Sequence, residues 1–313
     1  MREGGKEVEK PVYYLRMYDM IIKSDISIIE GVEVLEECSV DVRINLEEIP
    51  KQIKELIDQG EVQKLEKEKA WFIVPDIAFF YIYDGSNIIC SVFEGALMHD
   101  VVAYLLGCAF CFIFIQRGLT PLHGSALIVN NKGLIITGRS GAGKSSLTAA
   151  FLQSGYPFLA DDVAVLSLEK NKTNIIPSFP EQKLCRNVAL GMGYDINSLR
   201  YLGEEKDKFA VRLDKLFCSS KIELGAIVEV IPHTNKELEI HEIRGHDKIG
   251  TFIRNIFQSF IYEEIGLSVD TMKRFLNIVE KLPMYRILRP ENDDTILVQK
   301  EKLLEMLVNT NCM

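Results

Sequence analysis

Basic residues are the minority charge. The chain of 313 residues carries 36 Lys and Arg against 45 Asp and Glu, a formal charge of −9. Phosphate-backbone binding rests on a positive surface, so bulk recognition of nucleic acid is excluded, while a local basic site inside an acidic shell is not. Cysteine is sparse and scattered: Cys38, Cys90, Cys108, Cys111, Cys185, Cys218 and Cys312 make an odd set, mostly in apolar runs where a free thiol behaves as a small hydrophobe. Cys108 and Cys111 form a CxxC, but no second Cys or His pair lies near enough to complete a zinc site. Reduced, structural thiols are the expectation, as in the cytosol. The start, MREGGKEVEKP, lacks the apolar stretch of a signal peptide, which also points to a cytoplasmic protein. No repeat, low-complexity tract or Ser-His-Asp order stands out, and His99, His233, His241 and His246 show no metal-ligand spacing. The charge-free run Val101 to Ile115 is short of the roughly 20 residues of a membrane span and is closed by Asp100 and by Gln116-Arg117. A buried helix is expected there, with no membrane partner.

What is present suffices for a packed protein. Hydrophobic residues make up 47% of the chain, and its length suits about two domains. YYLRMY, VDVRINL, AWFIV and AFFYIYDGSNIICSVF read as short strands, with Asp84-Gly85 and Ser86-Asn87 as turn residues, while 49–69 is charged helix or loop. Residues 1–98 are therefore expected to form a small β-rich module, a candidate for acceptor recognition. The remainder, 99–313, is expected to hold the buried helix (99–117), a catalytic core (122–232) and a C-terminal helical part (247–313). In that last part Ile249, Phe252, Ile253, Ile256, Phe257 and Phe260 recur at helical spacing and read as core rather than as a ligand box.

The core carries the chemistry. Gly138-Arg139-Ser140-Gly141-Ala142-Gly143-Lys144-Ser145 fits G-x-x-x-x-G-K-[ST], and Ser146 follows. Glycines allow several N–H groups to face one anion, and the start of the following helix adds positive partial charge. Lys144 can reach phosphate, and the Ser145 hydroxyl can ligate Mg²⁺. The required context is met, with the apolar strand GLIIT before and a helix to about Ser154 after. SALIV and GLIIT are expected to join through Asn130-Asn131-Lys132-Gly133.

Asp161-Asp162 ends the next strand, at the end a parallel sheet would bring beside the phosphates. A plain strand-end turn is the bland alternative. Adjacent strand residues face opposite sides, so a break at this corner would send one carboxylate to Mg²⁺ and the other to a substrate hydroxyl. His123 opens the strand before the loop and reads as readily structural as catalytic.

Leu122 to Leu168 resembles the catalytic core of HPr serine kinase/phosphorylase and its relatives, through Leu-His123-Gly-Ser-Ala, GRSGAGKSS, the helix ending at Ser-Gly155, and Leu-Ala-Asp161-Asp162-Val. The resemblance implies an α/β fold: a phosphoenolpyruvate-carboxykinase-like phosphate-loop core of mixed strands with flanking helices, behind the β-rich module. It also implies ATP as substrate with Mg²⁺, Lys144 and Ser145 on phosphate and metal, and one aspartate as base with the other on the metal. Which is which stays open, with the resemblance leaning to Asp161 as base and Asp162 as metal partner. No counterpart of the family's second, glycine-containing signature is found. In its place stand Pro177-Ser-Phe-Pro180-Glu-Gln-Lys183-Leu and Lys208-Phe-Ala-Val-Arg212-Leu. That arrangement is more similar to kinases of lasso-peptide precursors, so the expected acceptor is a serine of a precursor peptide. Lys183, Arg186, Lys208 and Arg212 are candidate contacts to nucleotide or acceptor, each also readable as a solvated surface charge. The rival readings are an HPr kinase, a kinase of a small-molecule hydroxyl and an ATP-binding regulator without transfer; homo-oligomerisation stays open.

Overall fold

Three two-residue turns with positive φ set much of the strand pairing: Tyr18-Asp19, Asn130-Asn131 and Lys170-Asn171, all between +50° and +62°. Turns of this kind match the twist of the strands they join. In the computed structural model they connect Tyr13–Met17 to Met20–Ser24, Thr120–Val129 to Lys132–Thr137, and Val163–Glu169 to Lys172–Ile176. The structure describes residues 11–35, 39–203, 207–234, 237–291 and 295–310. The N-terminal MREGGKEVEK, Cys38 and Cys312 lie outside them.

The chain divides into two units, residues 1–116 and 117–313. The first is built on an eight-stranded mixed sheet ordered Val32–Glu33, Tyr13–Met17, Met20–Ser24, Val42–Leu46, Asn87–Val92, Ala78–Tyr83, Lys69–Val74, Gln63–Leu65. Alternation gives it two apolar faces. On one, Trp71 and Phe79 pack with Ile53 of helix Lys51–Asp58. On the other, Phe72 and Tyr18 meet the long apolar helix, whose Phe112 stands 6.2 Å from Phe72 and whose Phe114 stands edge-on to Tyr18 at 4.7 Å.

That helix corrects the expected boundary. The sequence places it with the catalytic unit as 99–117, yet its aromatic face belongs to the first sheet, and the division falls after Gln116. It runs as Met98–Tyr104, a π-helical turn Leu105–Ala109, and Phe110–Gln116. Met98–Gln116 is long and apolar enough, by length and composition, to cross a membrane. In the folded chain Phe110 to Ile115 are all buried within the protein. Phe114→Ala should cost about 3–5 kcal/mol of the first unit's stability. Trp71 is the chain's single tryptophan and sits in this sheet, so denaturant unfolding followed by its fluorescence reads the loss; an unchanged midpoint would contradict the packing. The thiols follow their surroundings: burial pushes Cys90 up to about 12 and raises Cys108 and Cys111, and no disulfide joins the five described cysteines.

In the second unit the strand pairing closes on itself. Lys132–Thr137 pairs antiparallel with Thr120–Val129 and parallel with Ile222–His233. The circuit returns through Val163–Glu169 and Lys172–Ile176, which reaches Ile222–His233 again. Met284–Pro290 extends the sheet parallel to Ile222–His233, with Glu239–Glu242 beyond it. A separate small sheet holds Arg200–Tyr201, Lys208–Arg212 and Glu181–Cys185. Helix Lys144–Gln153 lies between the two sheets. Its Leu147 and Phe151 pack on Ile136, Val228 and Ile287, and its Ala149 and Leu152 on Leu184 and Val211. The C-terminal stretch is broken into His246–Arg254, Phe260–Ile265 and Val269–Glu280. Phe252 and Ile256 are core as expected, and Phe260 is exposed.

Candidate functional site

The strand Lys132–Thr137 delivers the chain to Gly138, where φ is +136° and an added Cβ would lie 2.3 Å from the Val230 carbonyl. Only glycine fits so close to a neighbouring strand. The loop ends at Gly143, left-handed at +103°, and no side chain caps the helix that starts at Lys144. Lys144 is buried and folded back: its Nζ donates to the carbonyls of Gly138 at 2.8 Å and Arg139 at 3.0 Å. Burial lowers its pKa, against the opposing pull of Asp162 and Asp161. Arg139 and Ser140 are exposed at the loop's tip, Ala142 is buried, and Ser145 and Ser146 are half-buried on the first helical turn.

The aspartate pair reaches the loop by a route that differs from the expected parallel neighbour. Phe158–Ala160 is antiparallel to Thr120–Val129, which is itself antiparallel to the loop's strand. Two reversals give the same direction, so both strand ends meet with the middle of Thr120–Val129, Gly124 to Ala126, between them. From there Ser125 donates its hydroxyl to Asp161 Oδ1 at 2.5 Å, and the Lys183 backbone N–H donates to Oδ2 at 2.8 Å. Asp161 is 6% exposed, and its pKa is raised, first by burial and then by the charge of Asp162.

Asp162 differs from its neighbour in every respect. Its φ is +62°, the break that turns the second carboxylate away from the first. Its side chain is 34% exposed and pairs with Lys183 Nζ at 3.2 Å. Burial pushes this carboxyl up, but Lys183, then Lys208 and His123, outweigh it and hold it down at about 2. His123 is held on three sides. Its N–H donates to the Asn255 carbonyl at 2.8 Å, its own carbonyl accepts from Thr137 Oγ1 at 2.6 Å, and Nδ1 lies 3.2 Å from the Asp162 carbonyl. A carbonyl only accepts, so Nδ1 carries the proton and Nε2 is the acceptor of the neutral ring. Burial first, and Lys144 next, lower the ring's pKa and keep it neutral near pH 7.

Of the four basic candidates, the structure brings two to the site. Lys183 pairs with Asp162, and the charge of Lys208 acts on Asp162, His123 and Lys144. Both stand on one face of the small sheet, two residues apart in register, since Cys185 opposes Lys208. Gln182, on the opposite face, donates to the Ser145 carbonyl at 3.2 Å and ties this sheet to the loop's helix. The other two are engaged elsewhere: Arg186 forks onto Asp207 with two 2.8 Å bonds and covers the Phe209 ring, and Arg212 pairs with Asp214 at 2.8 Å.

Two features have little or no signature in the sequence. Arg289, on the closing strand, donates through Nε to the Ala142 carbonyl at 2.7 Å, across 147 residues of sequence. Behind the loop, buried Glu229 accepts from Arg254, Arg286 and Asn255 at 2.8–3.1 Å. Glu229 stands in register with Thr137 on one side and Arg286 on the other. Its only sequence signal is one acid inside the apolar strand LGAIVEVI. Burial raises its pKa, but Asn255, Arg286 and Arg254 outweigh this and hold it below the usual glutamate range. Glu229→Ala leaves two arginines facing each other and should cost about 3–5 kcal/mol. The stabilisation is present above glutamate's unfolded pKa and is lost as pH falls through the depressed folded value. Urea melts of parent and variant, near neutrality and in acid, check both statements; a gap that widens in acid would contradict the sign.

No family model matches this chain. The HPr kinase/phosphorylase of Malacoplasma penetrans is 31% identical over 124 residues, 40% of this chain and 40% of its own length. That of Pelodictyon phaeoclathratiforme is 32% identical over 130 residues, 36% of this chain and 39% of its own. The chain thus spans about two-fifths of the length of these curated relatives. A solved Hpr(Ser) kinase/phosphatase from Coxiella burnetii is 15% identical, aligned over 61% of this chain and 92% of that one at a TM-score of 0.34. Over the segment it shares with the curated relatives, the chain is similar to HPr kinase/phosphorylases.

Proposed function

We propose that this protein is a cytoplasmic phosphotransferase that moves the γ-phosphoryl group of ATP to a serine hydroxyl on a peptide or small protein. The observation that carries the reading is the meeting of the loop, Lys144, His123 and the paired aspartates at one edge of the second unit. Phosphoryl transfer passes through a loose transition state, so positioning and charge stabilisation matter more than a strong base. The donor set suits Mg²⁺: Ser145 offers a hydroxyl and Asp162 an ionised carboxylate, both hard oxygen ligands. When bound, the ion would neutralise charge on the phosphates.

The chain's own groups divide the remaining work. Loop N–H groups and Lys144 bind the phosphates, and Lys208 adds charge beside Asp162. Asp162 is the reachable carboxylate, so it faces acceptor and metal, while Asp161 is the buttress that holds Lys183 and Ser125. This reverses the emphasis that family resemblance places on Asp161 as base. His123, neutral, offers Nε2 as an acceptor that can orient the incoming hydroxyl.

For the acceptor, the resemblance of the chain's arrangement, a β-rich first unit with Pro177 to Leu213 in place of the second signature, to kinases of lasso-peptide precursors favours a precursor peptide. The names of the curated relatives favour a second reading, HPr itself. Incubating the protein with Mg²⁺, ATP and each candidate, then locating phosphate by fragmentation mass spectrometry, separates them. Phosphate on a peptide serine but not on HPr supports the first. Phosphate on HPr alone overturns it.

A further inference from the structure

We infer that Arg289 is a positioning residue of the nucleotide site that fixes the phosphate loop for the β- and γ-phosphates; the inference rests on the nucleotide reading above. Arg289 is the next-to-last residue of the strand Met284–Pro290 and is tied at both ends of its fork. Nη1 donates to the Pro290 carbonyl at 2.8 Å, and Nε and Nη2 face the carbonyls of Ala142 at 2.7 Å and Gly141 at 3.4 Å. The fit is tight enough to constrain sequence: a Cβ on Gly143 would lie 3.1 Å from Nε.

The chemistry follows from the planar trans peptide. There is no cis peptide bond among the described residues. The N–H of a trans unit points opposite to its carbonyl. With the Ala142 carbonyl held by Arg289, the Gly143 N–H is aimed the other way, in series with the uncapped first turn of helix Lys144–Gln153. Lys144 does the same for the carbonyls of Gly138 and Arg139. The two cations are not equivalent. Lys144 is the group that must turn to phosphate, and in doing so it gives up part of its hold on the loop. Arg289 is anchored to its own strand and keeps its hold. A guanidinium fork spans two carbonyls, which a single ammonium on a flexible stem does not reproduce.

The test compares AMP, ADP and ATP binding to the full chain and to Arg289→Gln by calorimetry, beside thermal melts. A charged hydrogen-bond donor lost from the loop should weaken ATP and ADP by about 10–100-fold. AMP, whose phosphate does not need the loop's far carbonyls fixed, should change by less than about 3-fold. Arg289→Lys should recover little of the loss; it also carries the test if the glutamine variant does not fold. Unchanged ADP and ATP affinity, or an equal loss for all three nucleotides, overturns the inference. A parent that binds neither ADP nor ATP overturns the nucleotide reading and this inference with it.

Discussion

Lys144→Ala is expected to reduce phosphotransfer by about 10²–10³-fold, the loss typical of removing one preorganised donor from developing charge. Lys144 is 8% exposed, and its ammonium is partly desolvated and acts on Asp162 and His123, so its interaction with phosphate is less diluted by bulk water than a surface lysine's. Two loop carbonyls lose their donor in the variant, which costs about 1–3 kcal/mol. The fold should survive, because Leu147 and Phe151, which seat the helix, are untouched. Phosphate incorporation measured beside a thermal melt separates the effects. Parent-like transfer in a folded variant would refute the assignment of the loop.

Asp162→Asn should be the second large loss, about 10²–10⁴-fold in transfer. Asparagine keeps the shape and the left-handed backbone, which it tolerates, but removes the charge that faces Lys183, Lys208 and His123. The sign of its pH effect is fixed. A carboxyl held at about 2 adds stability above the ordinary aspartate range, and that gain is lost only as pH falls towards about 2. Parent and variant melts should therefore converge in strong acid and separate above it. Asp161→Ala should behave differently. It orphans the Ser125 hydroxyl and the Lys183 N–H and should cost about 1–3 kcal/mol for each, loosening the strand that carries Lys183. If Asp162→Asn transfers at the parent rate while Asp161→Ala melts as the parent does, Asp162 is not the working carboxylate and Asp161 is not its buttress.

The legible part of the site is the part written in contiguous residues. The loop, the helix after it and the Asp161-Asp162 corner all carry local signals: glycines where φ is positive, an apolar run before them, a break in strand geometry. Asn130-Asn131 likewise announces its hairpin, whereas Tyr18 and Lys170 adopt positive φ without a residue type that favours it. Direction is harder to read. Antiparallel and parallel routes bring Asp161 to the same edge, and only the pairing of Thr120–Val129 with both neighbours distinguishes them. Distant partners leave no trace. Arg289 and Glu229 act on groups far along the chain, and a lone charge in an apolar strand does not say what it will meet. The apolar helix before the second unit reads as buried, but its aromatic spacing fits any greasy face, so only the fold identifies the sheet it packs on.

The proposed function requires this loop and Asp162 together to pass a γ-phosphoryl group to a hydroxyl. Its most direct measurement uses ATP labelled in turn at the γ and the α phosphate, with Mg²⁺ and an acceptor peptide, scored for label in acid-stable, alkali-labile serine phosphate. The expected result is label from the γ position only, one ADP released for each phosphate transferred, and a rate lower by about 10²–10⁴-fold with Asp162→Asn. Label from the α position, or γ label retained at full rate in Asp162→Asn, would contradict it.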